Sequence, residues 1–333
     1  MRKSRLCIIL VLAGVLCAFA LPSAAELGVG TRALGMGGAY TAIADDTSAP
    51  YWNPAGLANA KKFSLQLPNV QVRIDSKLDW QDVADHPPTD DSERIDLLRE
   101  IGDSTTEVEV SANLAIVTTG FAVSVIPSGI ARLDGSGMTY GAGGLPTAGS
   151  SATIMGIGYV DVGVSMARPL RDGGVIGVTL KSVTSTAYME TMTYTGVDEN
   201  YTTDEQPDID DSGLGIDVGY LKETAPGTTF GVMIRNLLKP GLGDFSPERK
   251  VNVGVAHLLP KGDILLAADI NSLFDKPNIN LGAEVGLGQF ADLWLGLYNR
   301  KLTLGAGLGI LGGKFQVAYS PENLSMVSAS LSF

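Results

Sequence analysis

Apolar residues alternate with small or polar residues along much of this chain. From Asn278 to Leu287, Ile, Leu, Ala, Val and Leu take every second position, and Asn, Gly and Glu fill the positions between them. A period of two puts these sets on opposite faces of a β-strand, whereas a helix would mix them. The same alternation recurs at 108–116, 159–166, 214–220 and 301–310. The chain is therefore expected to form strands with one apolar and one polar face.

The alternation divides the chain after residue 61 into about fourteen strands. They are expected at 62–75, 106–117, 119–132, 152–168, 174–195, 212–222, 228–236, 249–258, 263–272, 278–287, 291–299, 301–310, 313–320 and 324–333. Spans of about 9 to 11 residues suit tilted crossings of a membrane, and a closed barrel leaves no strand edge in lipid. The predicted fold class is all-β: a transmembrane antiparallel β-barrel of about 14 strands, with 12 or 16 strands as alternatives.

The connections between these strands alternate in length. The first spans 76–105, the second is nearly absent, the third spans 133–151 and the fourth only 169–173. Outer-membrane barrels have short periplasmic turns and longer external loops, so both ends of the barrel are expected in the periplasm. The terminal Phe333 resembles the signal of outer-membrane assembly. A soluble β-sandwich also alternates, but it does not explain this asymmetry of the loops.

Residues 1–25 have the features of a secretory signal peptide. A basic start is followed by the apolar run Leu6–Leu21 and by the small residues Ser23, Ala24 and Ala25. Both cysteines, Cys7 and Cys17, lie in this segment, so no disulfide or cysteine metal site is expected in the mature chain. The net charge of −12 argues against a nucleic-acid partner. The expected location is the outer membrane of a Gram-negative-type bacterium.

Residues 26–60 precede the first strand and are dominated by small residues. Glycine accounts for 41 of the 333 residues of the chain, and many glycines occupy the polar face of the strands. A barrel of this width needs water or a plug in its lumen, and small inward residues leave room for a plug. The segment is too irregular for a strand and too rich in glycine for a free helix. The predicted organisation is signal peptide 1–25, hatch 26–60 inside the lumen, and barrel 61–333.

The run RALGMGGAYTAIADDTSAPYWNPAGLA at 32–58 resembles the N-terminal signature of the FadL-like outer-membrane proteins. This superfamily includes transporters of long-chain fatty acids and aromatic hydrocarbons, PorV-type secretion proteins, and families labelled as conjugal transfer proteins. Asn53, Pro54 and Ala55 are similar to the superfamily's NPA element at the end of the hatch. The resemblance implies a 14-strand barrel, a hatch in the lumen, and passage of hydrophobic ligands through a lateral opening in the wall.

The sequence has none of the residue patterns typical of an enzyme active site. The only histidines, His86 and His257, form no cluster with ligand spacing, and the G-x-G-x-x-G match at 307–312 lies between two strands with no helix after it. No catalytic motif is present. The carboxylates at 198–211 can be read as a Ca²⁺ site or as a solvated external loop. No enzyme activity, metal or cofactor is expected.

Three groups of residues are candidates for function. The hatch group is Trp52, Asn53, Pro54, Ala55, Asp45 and Asp46. The apolar loop 133–151 is expected to capture ligand through Met138, Tyr140 and Leu145. Inward charges are expected to form a polar network that grips the hatch; they are Asp161, Lys181, Asp217, Arg235, Asp269 and Glu284.

The expected function is outer-membrane transport or binding of hydrophobic small molecules, such as long-chain fatty acids. Ligand would enter at the external mouth and leave sideways near the Asn53-Pro54-Ala55 turn. The expected partners are membrane lipid, lipopolysaccharide and the ligand, and the protein is expected to be a monomer. The alternative is a PorV-like component that anchors a secretion or conjugation assembly. The apolar loop 133–151 favours transport, and the short later loops favour the alternative.

Overall fold

The computed structural model describes residues 28–75, 105–141, 146–194, 201–205, 209–243, 246–288, 290–310, 312–320 and 326–333. The predicted signal peptide, nearly all of the first connection (76–105) and part of the acidic segment 198–211 lie outside these ranges. Among the described residues, no helix is long enough and apolar enough to cross a membrane.

Fifteen strands are described. They are β1 (Ser64–Asp75), β2 (Thr105–Thr118), β3 (Phe121–Gly137), β4 (Ser151–Pro169), β5 (Gly174–Tyr194), β6 (Tyr201–Glu205), β7 (Ile209–Ala225), β8 (Thr228–Leu238), β9 (Lys250–Leu258), β10 (Ile264–Asn271), β11 (Asn278–Leu287), β12 (Ala291–Tyr298), β13 (Lys301–Ile310), β14 (Gly313–Tyr319) and β15 (Met326–Ser332).

All strands except β6 form a closed antiparallel barrel of 14 strands. Each pairs with its neighbours along the chain, and β1 pairs with β15 to close the cylinder. The predicted fold class is confirmed, with strand ends that differ by a few residues. Strand β6 was predicted as loop. It forms because β5 extends beyond β7, and β6 pairs with the edge of β5 that β7 leaves free, from Glu190 to Tyr194.

The two ends of the barrel differ in their connections. One end carries six short turns, and each contains a glycine whose φ lies between 69° and 85°. These glycines are Gly120, Gly173, Gly227, Gly262, Gly288 and Gly312. This left-handed conformation is costly for residues with a Cβ atom. We call this the turn end, and we call the opposite end the loop end.

The outer face of the wall is apolar and the inner face is polar, as the alternation predicts. On β4 the exposed side chains are Val160, Val162, Val164 and Met166, at 41% to 61% exposure. The inward positions between them hold Asp161, Gly163 and Ser165. Phe63 and Phe290 add exposed aromatic rings close to the turn end. This surface matches the hydrocarbon core and interface of a membrane.

The segment before β1 lies inside the barrel and forms the hatch. It contains α1 (Thr31–Gly35), α2 (Ala49–Trp52) and a 3-10 helix, Pro54–Asn59. The sequence predicted irregular structure here, because such short and glycine-rich helices are unstable alone. Enclosure by the wall stabilises them, and Met36, Tyr40 and Leu57 are fully buried in the hatch core.

Candidate functional site

The inner wall receives the hatch on a row of glycines. We call this row the glycine seat: Gly177 on β5, Gly219 on β7, Gly231 on β8, Gly254 on β9, Gly282 on β11 and Gly296 on β12. A Cβ atom on Gly177 would overlap the backbone nitrogen of Ala55, and one on Gly219 would overlap Asn53 Oδ1. The hatch backbone therefore approaches the wall more closely than any side chain at these positions allows.

Asn53 fixes the end of the hatch against two strands. Its Nδ2 donates to the carbonyl of Thr41 at 2.8 Å and to the carbonyls of Tyr220 on β7 at 3.2 Å and Val232 on β8 at 3.4 Å. Its Oδ1 accepts from the backbone nitrogen of Ala55 at 3.1 Å. One buried amide thus caps the 3-10 helix and holds it to the wall. Pro54 takes the first position of that helix.

Asp269 holds the middle of the hatch. Its Oδ2 accepts the backbone N–H groups of Tyr40 at 2.9 Å and Thr41 at 2.8 Å. The carboxylate is almost fully buried on β10, where neighbouring strands present seat glycines. It occupies a position in the wall at which the hatch backbone offers two donors, and so it anchors the hatch by charge-assisted hydrogen bonds.

Arg32 on α1 joins the hatch to β11. Its Nε donates to Glu284 Oε2 at 2.6 Å, and its Nη1 donates to Asp45 Oδ1 at 2.7 Å and to the hydroxyl of Tyr40 at 3.0 Å. Tyr40 in turn donates to Asp46 Oδ2 at 2.6 Å. The predicted hatch residues Asp45 and Asp46 therefore belong to one hydrogen-bonded group centred on Arg32.

Trp52 packs the other side of the hatch. Its ring meets Tyr40 and Tyr51 edge to face at centroid distances of 5.8 Å and 5.4 Å. Its Nε1 donates to the carbonyl of Val29 at 2.6 Å. The residue ties α2 to the first described residues of the hatch, so its position is structural within the hatch core.

A cavity of about 410 Å³, the outer chamber, lies between the hatch and the loop end. Apolar and aromatic side chains line part of it: Val29, Tyr51, Ile126, Ile130 and Tyr159. Ten charged side chains also line it, five basic and five acidic, and some of them form ion pairs. Arg73 contacts Glu109 at 2.8 Å and Glu107 at 3.1 Å.

Lys181 on β5 forms the second charged group of this chamber. Its Nζ lies 3.3 Å from Asp161 on β4 and 3.1 Å from Asp217 on β7. Arg235 on β8 lies close by, with its guanidinium 3.4 Å from the ring centroid of Tyr51. Pairing offsets the cost of placing these charges inside the barrel.

The six predicted inward charges therefore lie in four separate places. Asp161, Lys181 and Asp217 join strands to one another, whereas Arg235 reaches the hatch through Tyr51. Asp269 and Glu284 each hold the hatch at a separate point. The structure thus brings Asp161, Lys181 and Asp217 into contact with one another, and it places the other three charges at separate contacts with the hatch.

A second cavity, of about 530 Å³, lies between the hatch and the turn end. We call it the inner chamber. Five carboxylates line it, belonging to Asp45, Glu223, Asp263, Glu284 and Asp292, together with the guanidinium of Arg32. The hatch thus separates two chambers, and its residues from Ala42 to Asp45 face the inner one. No cluster suited to a metal ion occurs in the described part of the chain.

The predicted capture loop is described only in part. Met138 follows the end of β3, and Tyr140 forms an isolated antiparallel bridge with Pro146. Leu145 lies outside the described residues. The loop is organised by hydroxyl groups, since Ser150 Oγ donates to the carbonyl of Thr139 at 2.8 Å. Neither Met138 nor Tyr140 lines the outer chamber.

Sequence reasoning missed two wall residues that bind the hatch, Gln66 and Asn69 on β1. Thr47 Oγ1 donates to Gln66 Oε1 at 2.8 Å, and Gly30 N donates to Asn69 Oδ1 at 3.1 Å. Their spacing of three breaks the period of two, and Pro68 lies between them. A break of register at a proline is the signal that marks such a bulge in a sequence.

The fold of this chain is similar to that of several solved transporter structures. The toluene transporter TbuX of Ralstonia pickettii is similar over 94% of this chain and 97% of its own, with 13% identity and a TM-score of 0.59. A FadL homologue of Pseudomonas aeruginosa is similar over 94% and 96%, with 13% identity and a TM-score of 0.57. The toluene transporter TodX of P. putida is similar over 92% and 96%, with 13% identity and a TM-score of 0.56.

Within this fold class, the sequence identifies a narrower family. The family described as "F plasmid transfer operon, TraF, protein" matches residues 50–245, more than half of the chain. The chain belongs to this family. No match to a curated protein is significant.

Proposed function

We propose that this protein carries small apolar or weakly polar molecules from the cell exterior into the outer membrane of a Gram-negative-type bacterium. The observation that carries the proposal is the hatch, which divides a closed barrel into an outer and an inner chamber. The fold, which toluene transporters share, supports the same conclusion. Lipid and lipopolysaccharide are the expected surroundings, with the protein acting as a monomer and without enzyme activity.

The outer chamber suits a ligand of modest size and no net charge. Cavities of roughly 300 to 1,000 Å³ hold small organic ligands, and this chamber has about 410 Å³. Its lining carries five basic and five acidic side chains, and Arg73 and Lys181 among them have carboxylate partners. A ligand therefore gains most by contact with the apolar and aromatic lining, such as Ile126 and Tyr159.

Release of the ligand is expected to be lateral. The hatch closes the lumen between the chambers, and the inner chamber is lined by carboxylates, which offer little to an apolar molecule. The outer face of the wall contacts the hydrocarbon core of the membrane directly. Near the Asn53-Pro54-Ala55 turn, however, β5 and β7 pair without interruption from Gly174 to Ala187. We therefore propose that the ligand leaves at another place in the wall.

Uptake of the fluorescent probe N-phenyl-1-naphthylamine tests the proposal. Cells that produce the protein should take up the probe faster than cells without it. Ser128→Trp fills the outer chamber and should abolish the difference. Ala131→Trp is the matched control, because Ala131 on the same strand is exposed on the outer face. Equal uptake with and without the protein would refute transport of this probe class.

A second candidate function is a role in a conjugation assembly, for which the family match provides the specific support. In this case the barrel anchors a partner protein, and its chambers need not conduct a ligand. Deletion of the protein in its native host should then lower the frequency of conjugal DNA transfer. Ser128→Trp separates the two functions, since filling the chamber should stop probe uptake and leave DNA transfer unchanged.

A further inference from the structure

Strand β1 loses its regular pairing with both neighbouring strands at the same place. With β15, the pairing passes from Gln66 opposite Ser332 directly to Val70 opposite Ala329, with a shift of register. With β2, it passes from Gln66 to Asn69, also with a shift. Both ladders of β1 are therefore interrupted at Leu67 and Pro68, and the proline has no N–H to contribute. We call this place the β1 bulge.

Two amide side chains close the wall at the β1 bulge. Gln66 Nε2 donates to the carbonyls of Leu67 at 2.7 Å and Leu331 at 3.1 Å. Asn69 Nδ2 donates to the carbonyl of Ala329 at 3.1 Å. The side chains replace hydrogen bonds that a regular ladder would make between backbone groups. Here the seal between β1 and β15 depends on side-chain amides rather than on backbone groups alone.

The hatch holds both amides in place. Thr47 Oγ1 donates to Gln66 Oε1 at 2.8 Å, and Asn69 Nδ2 donates to Thr31 Oγ1 at 2.6 Å. Gln66 and Asn69 are 4% and 1% exposed, so these bonds lie away from water. A movement of the hatch that withdraws Thr31 and Thr47 would leave the amides without these partners and would loosen the seal.

The β1 bulge lies between the hatch segment that borders the outer chamber and the outer face of the wall. Val29 lines the chamber and precedes Gly30, whose N–H binds Asn69. On the outside, the bulge is flanked by the exposed side chains of Leu67, Val70 and Leu114, at 38% to 46% exposure. A molecule that leaves the chamber here passes from apolar and amide groups directly onto an apolar surface.

We propose that the β1 bulge is the lateral exit for an apolar or weakly polar ligand, and that Thr31 and Thr47 of the hatch keep it closed. This proposal rests on the transport function argued above. It adds the place of release and the residues that control it. The exit lies between the first and last strands of the barrel, away from the Asn53-Pro54-Ala55 turn.

A disulfide between β1 and β15, across the seam where the barrel closes, tests the exit. Val70 and Ala329 are direct partners, both on the outer face, so Val70→Cys with Ala329→Cys should lock β1 to β15. The control lock is Leu266→Cys with Ala283→Cys, a direct pair on the uninterrupted β10–β11 ladder. The sequence has no cysteine after Cys17, so each introduced pair is alone in the barrel.

Uptake of N-phenyl-1-naphthylamine is measured for both locks, oxidised and reduced. The seam lock should abolish uptake when oxidised and restore it when reduced, while the control lock leaves uptake unchanged. If the cells take up the probe with each of the two oxidised disulfides, or with neither, the exit at the β1 bulge is refuted. The transport function itself still stands. If the wild-type protein and the control lock give no uptake beyond that of cells without protein, the transport function itself fails.

A second measurement covers the case in which the seam lock does not assemble. Thr31→Val and Thr47→Val together remove the hydroxyls that hold the two amides. Amide hydrogen exchange at residues 66–72 should become about fivefold faster for each buried hydrogen bond lost. Thr303→Val is the control, since Thr303 on β13 donates to Gly35 of the hatch, and β15 and β14 separate β13 from β1. Equal exchange in the two variants would overturn the proposal.

Discussion

Arg32 and Glu284 join the hatch to the wall through a hydrogen-bonded ion pair of 2.6 Å. Arg32 also forms an ion pair with Asp45, a residue of the hatch itself, at 2.7 Å. If the hatch moves, Arg32 can leave Glu284 together with Asp45, so the guanidinium is not left without a counter-ion. The arrangement lowers the cost of displacing the hatch, because an unpaired charge in the barrel would be far more expensive.

Weakening this ion pair should loosen the hatch and leave the barrel intact. In Glu284→Gln the charge is lost, and we expect the hatch to be less stable by about 1.5 to 3 kcal/mol, the range for a hydrogen bond to a charged group. In planar bilayers the variant should show more frequent ion-conducting openings than the wild type. Asp263→Asn is the control, because it removes a charge from the same chamber without a contact to Arg32. Identical recordings for Glu284→Gln and Asp263→Asn would show that the Arg32–Glu284 ion pair does not hold the hatch in place.

The glycine seat gives a steric prediction. A methyl group at Gly177 would overlap the backbone of Ala55, and backbone cannot rotate away as a side chain can. Gly177→Ala should therefore displace the hatch and make residues 53–60 accessible to protease in the folded barrel. Gly156→Ala on β4 should have no effect, because no atom lies within 4 Å of its added Cβ. Protection of the hatch in Gly177→Ala would show that the seat tolerates a side chain.

The sequence was sufficient for the barrel but not for the contacts of the hatch. The period of two places Val162 outside and Asp161 inside whatever the barrel contains, since it depends only on the strand. Which inward residues meet the hatch depends on the stagger of distant strands. Asp269 and Glu284 lie in adjacent strands and bind different parts of the hatch, and the spacing in the sequence does not contain this information.

The sequence pattern also did not predict the departures from regular structure. Strand β6 forms only because β5 leaves an edge free, which depends on the length of its neighbour. The β1 bulge shifts the register, so Gln66 and Asn69 both face inward although they are three positions apart. The short helices of the hatch depend on burial inside the barrel. These features depend on the tertiary fold rather than on local preference.

Asn53 should be intolerant of its charged isostere. In Asn53→Asp the donor to the carbonyls of Thr41 and Tyr220 is replaced by an acceptor in a fully buried position. We expect a loss of several kcal/mol in hatch stability, typical of a buried and uncompensated charge. Urea-dependent exposure of Trp52, measured by fluorescence, reports this loss. Asn59→Asp is the matched control at an exposed position of the same helix, and an equal shift in both variants would argue against the role of Asn53.

Asp172 should make the stability of the turn end depend on pH. Its pKa lies below the ordinary value of 3.8, because the Gly174 N–H, then Lys222 and Tyr220, donate to the carboxylate. A lowered pKa in the folded state stabilises the fold above the ordinary pKa, and this contribution disappears as pH falls through the folded value. Unfolding measured from pH 6 down to about 3 should show wild type losing stability relative to Asp172→Asn below about pH 4. Parallel curves for the two proteins would refute the prediction.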